Sequence, residues 1–229
     1  MIERGIVVRG RVIRGSERVL RDSSAWWTAG RETRPRRWPI DLLVGHWTAG
    51  NPRTGPTAGP AVWRAMEART GVGGRDLSVS VHFVISWDGL IWQTLDLEHA
   101  AVHVGHRPTI ARSIGVETCW PGTVAQARRL GLDVWLSETR RVGSHRVQCV
   151  RPGDALVESW RWLGETLAGD AAPEHGIEIP RIAAPVDRRL APAELASHRG
   201  CVEHMHIPGT TKIDAAGYLV ESLGWWPSR

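Results

Sequence analysis

The chain has 229 residues, 42% of them hydrophobic and 23% charged, which is enough apolar material for one sizeable core and unlike a disordered or fibrous protein. Its formal net charge of +5 favours acidic partners in general: nucleic acid, anionic lipid or an acidic cell wall. The three cysteines, Cys119, Cys149 and Cys201, form no C-x-x-C pair, which argues against a disulfide framework and suits a reducing compartment. The first twenty residues carry arginines and an acid but no apolar h-region, and no stretch reaches membrane-span length. The expectation is therefore a cytoplasmic protein without a signal peptide and without membrane insertion. Aromatic usage is skewed, with 13 Trp against one Tyr and one Phe. So many large apolar rings belong in the core or half-buried on the surface, with one or two free to line a cleft.

In chain order, "GIVVRGRVIRG" alternates loosely and predicts an early strand or hairpin. "RETRPRRWP" at 31–39 is the densest basic run; it reads as a solvated loop, with a polyanion contact as the alternative. "DLLVGHWT" at 41–48 is a buried strand that ends in polar residues before a turn. "PAVWRAMEART" has helical spacing and stops at Gly71. "LSVSVHFVIS" alternates strictly: Val79, Val81, Phe83 and Ile85 face one way, Ser80, His82 and Ser86 the other. Asp88-Gly89 then turns into "LIWQTLD", a hairpin. "RSIGVETC" places Ile114 and Val116 on one face and Glu117 on the other. "DALVESWRWLGETLAG" is an amphipathic helix with Leu156, Trp160, Leu163 and Leu167 in one stripe. The segment 180–192 is irregular, "CVEHMHI" predicts a last short strand and "DAAGYLVESLG" a closing helix. Interleaved strands and helices give an α/β class: one domain with a central mixed β-sheet flanked by helices.

Chemistry concentrates in two places. His46 stands at the C-terminal end of its strand, where α/β sheets bind ligands. Late in the chain, His204 and His206 lie two apart and would share one face of a strand; Asp214 follows across a Pro208-Gly209 turn. Two imidazoles and a carboxylate, with water in the fourth position, make a catalytic zinc set. Such a site lowers the pKa of its water, and Lys212 would reach the same rim to stabilise an oxyanion. A polar loop with surface histidines is the alternative.

"LVGHWTAG", "SVHFVISWDG", "AAVHVGH", "RSIGVE" and "EHMHIPGTTKIDAAG" occur in the order and approximate spacing of blocks in one known family. Over about residues 41–223 the chain resembles the zinc-dependent N-acetylmuramoyl-L-alanine amidases of the type 2 family. That family spans phage endolysins, cytoplasmic wall-recycling amidases and peptidoglycan recognition proteins. Its usual forms are similar to "VIHHTAG", "SAHYLIDRDG", "AWHAG", "SIGIE" and a final "GH…PGRKTDPG" or "GHYHIT…KIDPAG". The resemblance implies Zn2+ held by His46, His204 and Asp214, with Glu117 and Lys212 as the catalytic pair. His198 and His206 compete with His204 for the second ligand position, and Cys201 offers a thiolate. Trp47, His82, His103 and His206 are the candidate substrate-binding residues, in or behind the wall of the cleft. Proline usually follows the third ligand; here Ala215 does.

The implied organisation is an N-terminal extension over 1–40 packed on a catalytic domain over 41–229, with an insertion around 118–153. The implied reaction is hydrolysis of the amide joining N-acetylmuramic acid to L-alanine of the stem peptide by a zinc-activated water. The expected partner is bacterial peptidoglycan, met by a monomer. Scattered basic residues with no accompanying motif give no specific nucleic-acid partner. The missing signal and the positive charge suit a phage or prophage endolysin that reaches the wall after release. A muropeptide-recycling amidase and a non-catalytic recognition protein are the other readings.

Overall fold

The computed structural model describes residues 2–13, 15–22, 26, 33–34, 36–50, 55, 58–67, 79–134, 136–169 and 172–227. Its strands are β1 (Ile2–Arg4), β2 (Val7–Val8), β3 (Arg11–Val12), β4 (Val19–Asp22), β5 (Thr33–Arg34), β6 (Leu42–Trp47), β7 (Phe83–Ile85), β8 (Ile91–Gln93), β9 (Ala100–Ala101), β10 (Ser113–Thr118), β11 (Ser137–Val142), β12 (His145–Val150), β13 (Ile182–Ala183), β14 (Gly200–Glu203) and β15 (Trp226–Pro227). The helices are α1 (Ala58–Glu67), α2 (Arg107–Arg112), α3 (Val124–Arg129), α4 (Asp154–Leu167), α5 (Pro192–Ser197) and α6 (Tyr218–Leu223), with 3-10 turns at Pro173–His175 and His204–His206.

Nine strands form one mixed sheet in the order β1-β4-β8-β7-β10-β6-β14-β13-β15. The strands from β7 to β15 run parallel to their neighbours, β8 is antiparallel to β7, and β1 is antiparallel to β4. All six residues of β6 are buried, as a central strand covered on both faces requires. Leu43 and Trp47 of β6 and Ile114 and Val116 of β10 face the main core with Leu156, Trp160, Leu163 and Leu167 of α4 and Leu219 of α6. Each such side chain contributes about 1.5–3 kcal/mol by burial. Leu42 and Val44 face the other way, into a second core closed by Ile110 of α2 and Leu195 of α5.

The described part of 1–40 adds β1 and β4 to the sheet beside β8, and β2 and β3 pair as a hairpin. Residues 118–153 hold α3 and the antiparallel β11–β12 pair. A groove of about 490 Å³ beside them is lined by Trp87, Ala127, Leu132, Leu136 and Val150. All three cysteines are buried. No described helix is long and apolar enough to cross a membrane.

Four elements depart from the sequence reading. The strand expected over "CVEHMHI" stops at Glu203, and a 3-10 turn follows. The closing helix begins only at Tyr218, because 214–217 form the loop that leads into it. The irregular segment 180–192 contains β13, too short at two residues to show in a pattern. The basic run is not simply solvated: Arg36 is half-buried and donates to the carbonyls of Leu97, Ser113 and His99. Part of that run, and the predicted end of the helix at Gly71, lie outside the described residues.

Candidate active site

The parallel register of β6 and β10 sets His46 directly beside Glu117. Both side chains project from the second-core face at the C-terminal ends of their strands, and both are largely buried, at 3% and 8% exposure. The third neighbouring strand, β14, delivers the chain to the 3-10 turn that starts with His204. Asp214 returns to the same point, its carbonyl accepting from the Met205 N–H at 2.7 Å.

His46 Nδ1, His204 Nδ1 and Asp214 Oδ2 converge. The two nitrogens are 3.2 Å apart, and the carboxylate oxygen lies 3.4 Å from His46 and 3.2 Å from His204. Donors about 2.0–2.1 Å from a tetrahedral ion stand about 3.3–3.4 Å from one another, so this triangle has the size that one such ion requires. The three residues form the one group of ligating side chains placed to hold a metal among the described residues. Nitrogen donors with a single carboxylate suit zinc better than calcium or magnesium.

Electrostatics agree with that use. Burial alone would raise the Asp214 carboxyl, but hydrogen bonds and charge from His204 and His46 outweigh it and hold the group well below the usual carboxylate range. Burial lowers the His46 imidazole against the pull of Asp214, which keeps it neutral and able to ligate. Behind it, His46 Nε2 lies 3.0 Å from His103 Nδ1, and His103 Nε2 lies 2.9 Å from Ser113 Oγ. With a cation on His46 Nδ1, the Nε2–H of His46 would donate to His103 and the Nε2–H of His103 to Ser113, a chain that would fix ring orientation and tautomer. Burial, then His46 and His82, pushes the His103 pKa well down, consistent with a neutral relay. Gly115 makes the relay fit: a Cβ there would lie 2.5 Å from His103 Cγ.

A cleft of about 360 Å³ opens over the triangle. His46, Trp47, His103, Glu117, His204, Lys212 and Asp214 all line it. Trp47 lines the cleft but faces the main core, its ring edge-on to Trp120 with centroids 4.9 Å apart, and is only 8% exposed. Lys212 is exposed on the segment leading into Asp214.

Two expected substrate-binding residues lie elsewhere. His82 is fully buried beneath β10, accepting from the Gly115 N–H at 3.0 Å while its Nε2 lies 2.9 Å from the His99 carbonyl. His206 is also fully buried, held between the Glu203 N–H (2.8 Å) and the Pro185 carbonyl (2.7 Å). The expectation for His206 rested on a strand, where residues two apart share a face; three residues per turn in a 3-10 turn separate them. Burial lowers the His206 imidazole to about 4. The competitors for the second ligand position are likewise engaged away from the triangle. His198 Nε2 is 3.2 Å from the Cys201 carbonyl, and Cys201 is packed in the main core. Ser113, Gly115, Glu203 and Arg36 were not singled out from sequence; the glycine inside the alternating "RSIGVE" was a usable signal of close approach.

A family model described as N-acetylmuramoyl-L-alanine amidase matches residues 36–214. Comparison with curated proteins gave no match. Among solved structures, the fold is similar to the ectodomain complex of peptidoglycan recognition proteins LCa and LCx bound to tracheal cytotoxin, with TM-score 0.55 and 13% identity over 92% of this chain and 98% of that one. It is also similar to Drosophila PGRP-LB, with TM-score 0.52 and 11% identity over 91% of this chain and 93% of that one. At such identities the structural likeness speaks for the fold, and the family model for membership. The chain belongs to the N-acetylmuramoyl-L-alanine amidase family.

Proposed function

We propose that this protein is a zinc-dependent peptidoglycan hydrolase that cleaves the amide between N-acetylmuramic acid and L-alanine of the stem peptide. The observation that carries the reading is the ligand triangle of His46, His204 and Asp214 in one cleft with Glu117 and Lys212. When bound, zinc supplies Lewis acidity toward a carbonyl oxygen and lowers the pKa of water. Glu117 takes a proton from the attacking water and delivers it to the leaving amine nitrogen, a role that needs a carboxyl within hydrogen-bond reach. The Lys212 ammonium at the rim stabilises negative charge on the carbonyl oxygen as the tetrahedral centre forms. Trp47 and His103 bound the space where sugar and peptide sit on either side of the scissile bond. The products are a lactyl carboxylate and a free L-alanine amine.

The net charge of +5 supports an enzyme that meets an acidic wall, as a phage or prophage endolysin does after release. The alternative, a protein that binds peptidoglycan without cutting it, draws on the likeness to recognition proteins. Retention of both the ligand triangle and Glu117 favours catalysis. Mass spectrometry of purified peptidoglycan after incubation tests the reading. New L-alanine amino termini beside intact glycan chains, lost with a chelator and restored by zinc, are expected. A wall that stays uncut yet retains the protein would transfer the assignment to recognition.

A further inference from the structure

Glu203 is the last residue of β14 and immediately precedes the ligand His204. Its side chain is fully buried and points away from the cleft, toward the layer of α4 and α6. There it meets backbone rather than a cationic side chain. Oε2 accepts from the N–H groups of Ala215 at 2.9 Å and Gly217 at 2.6 Å; Oε1 accepts from Leu219 at 2.7 Å and Val220 at 2.9 Å.

We propose that Glu203 is a positioning residue of the metal centre, its carboxylate fixing the segment 215–220 so that Asp214 is presented to His204 and His46. The proposal rests on the metal-site reading above.

Three observations support it. First, α6 starts after Gly217, which has no side chain with which to cap its own helix, so the first N–H groups need an acceptor from elsewhere. Glu203 is that acceptor, and it also holds Ala215, the residue directly after the ligand. Secondly, room is made for this approach. Gly45 pairs with Glu203 in the sheet, and a Cβ on Gly45 would lie 2.6 Å from Leu219 Cδ1. Thirdly, the same short stretch is tied from both sides: the Glu203 N–H donates to His206, and the Met205 N–H donates to the Asp214 carbonyl. Four donors converging on one buried carboxylate make it costly to replace, because a buried donor left unpaired loses its full hydration.

The test uses the whole chain, stripped of metal, with zinc and cobalt ions as probes. Zinc affinity is measured by competition with a chromogenic chelator, and ligand geometry by the absorption spectrum of the cobalt form. Glu203→Gln sets an amide NH2 against two of the backbone donors. It is expected to weaken zinc binding about 10- to 100-fold, the usual range for residues that support ligands, and to change the cobalt spectrum. Leu167→Ala, a cavity at the last residue of α4 with no hydrogen bond to Glu203 removed, lowers stability but leaves affinity and spectrum as in the wild type. Hydrogen exchange on the metal-free wild type adds a readout that needs no variant: the amides of Ala215, Gly217, Leu219 and Val220 are expected to be protected. A folded Glu203→Gln protein with wild-type affinity and spectrum overturns the proposal, as does exchange of those four amides at the rate of open loops. Should the wild type itself bind no zinc, the metal-site reading fails and the proposal with it; that result differs from a wild type and variant that bind equally.

Discussion

Strands β6 and β10 carry a buried polar cluster at each end, and the two clusters are built on different logic. At the N-terminal end, Arg112 donates to Asp41 at 2.6 Å and to the carbonyls of Leu195 and His198, each at 2.8 Å. There a protein cation meets an anion and two acceptors. At the C-terminal end, His46, His204 and Asp214 bring lone pairs together within 3.4 Å. Asp214 can accept from both imidazoles, but His46 and His204 then face each other donor to donor. The first cluster closes on itself and serves stability; the second, on the reading proposed above, would close around a cation and serve chemistry.

The largest expected effect comes from opening the second cluster. Asp214→Ala removes one of three ligands, and zinc uptake and amide cleavage should both fall to background while the fold survives; chelator competition and product mass spectrometry read the two losses. Glu117→Gln sharpens the contrast inside the cleft. Cleavage should drop about 10²- to 10⁴-fold, the usual share of a general acid–base, with zinc affinity unchanged. An equal loss of zinc affinity would make Glu117 a structural support instead. Arg112→Met tests the other end. Asp41 keeps Arg199 at 3.4 Å, but the Leu195 and His198 carbonyls lose their donor, a cost of about 1–3 kcal/mol for a buried polar group left unpaired, so urea unfolding should shift while zinc affinity stays at the wild-type level. The smallest effect is in pH dependence. Burial, assisted by Arg112, lowers the His198 imidazole below its ordinary value. The unfolded chain therefore binds more protons than the folded one as pH falls through 6.5, and stability declines in that direction. For the metal-free protein, His198→Gln should make the melting temperature fall less steeply below pH 6.5. An unchanged slope would show that His198 is not held neutral.

Much of this was legible where pattern and chemistry coincide. Alternation in "RSIGVE" put Glu117 opposite Ile114 and Val116, and the stripe of Leu156, Trp160, Leu163 and Leu167 became the buried face of α4. The position of His46 near a strand end was readable because the apolar run 42–45 before it leaves little choice of structure. What was not legible depends on contacts remote in sequence. Arg36 looks like any residue of a basic loop until three carbonyls surround it. His82 and His206 are polar by composition and yet buried, because backbone groups satisfy them. The β11–β12 hairpin escaped because most of its side chains are exposed and polar on both faces, which erases the alternation that marks a half-buried strand.

The central claim is that His46, His204 and Asp214 form one metal site. Calorimetric titration of the metal-free protein with zinc tests it most directly. The account predicts saturation at one zinc per chain, with the binding lost in Asp214→Ala. Absence of saturable binding, or binding that persists undiminished in that variant, would contradict it.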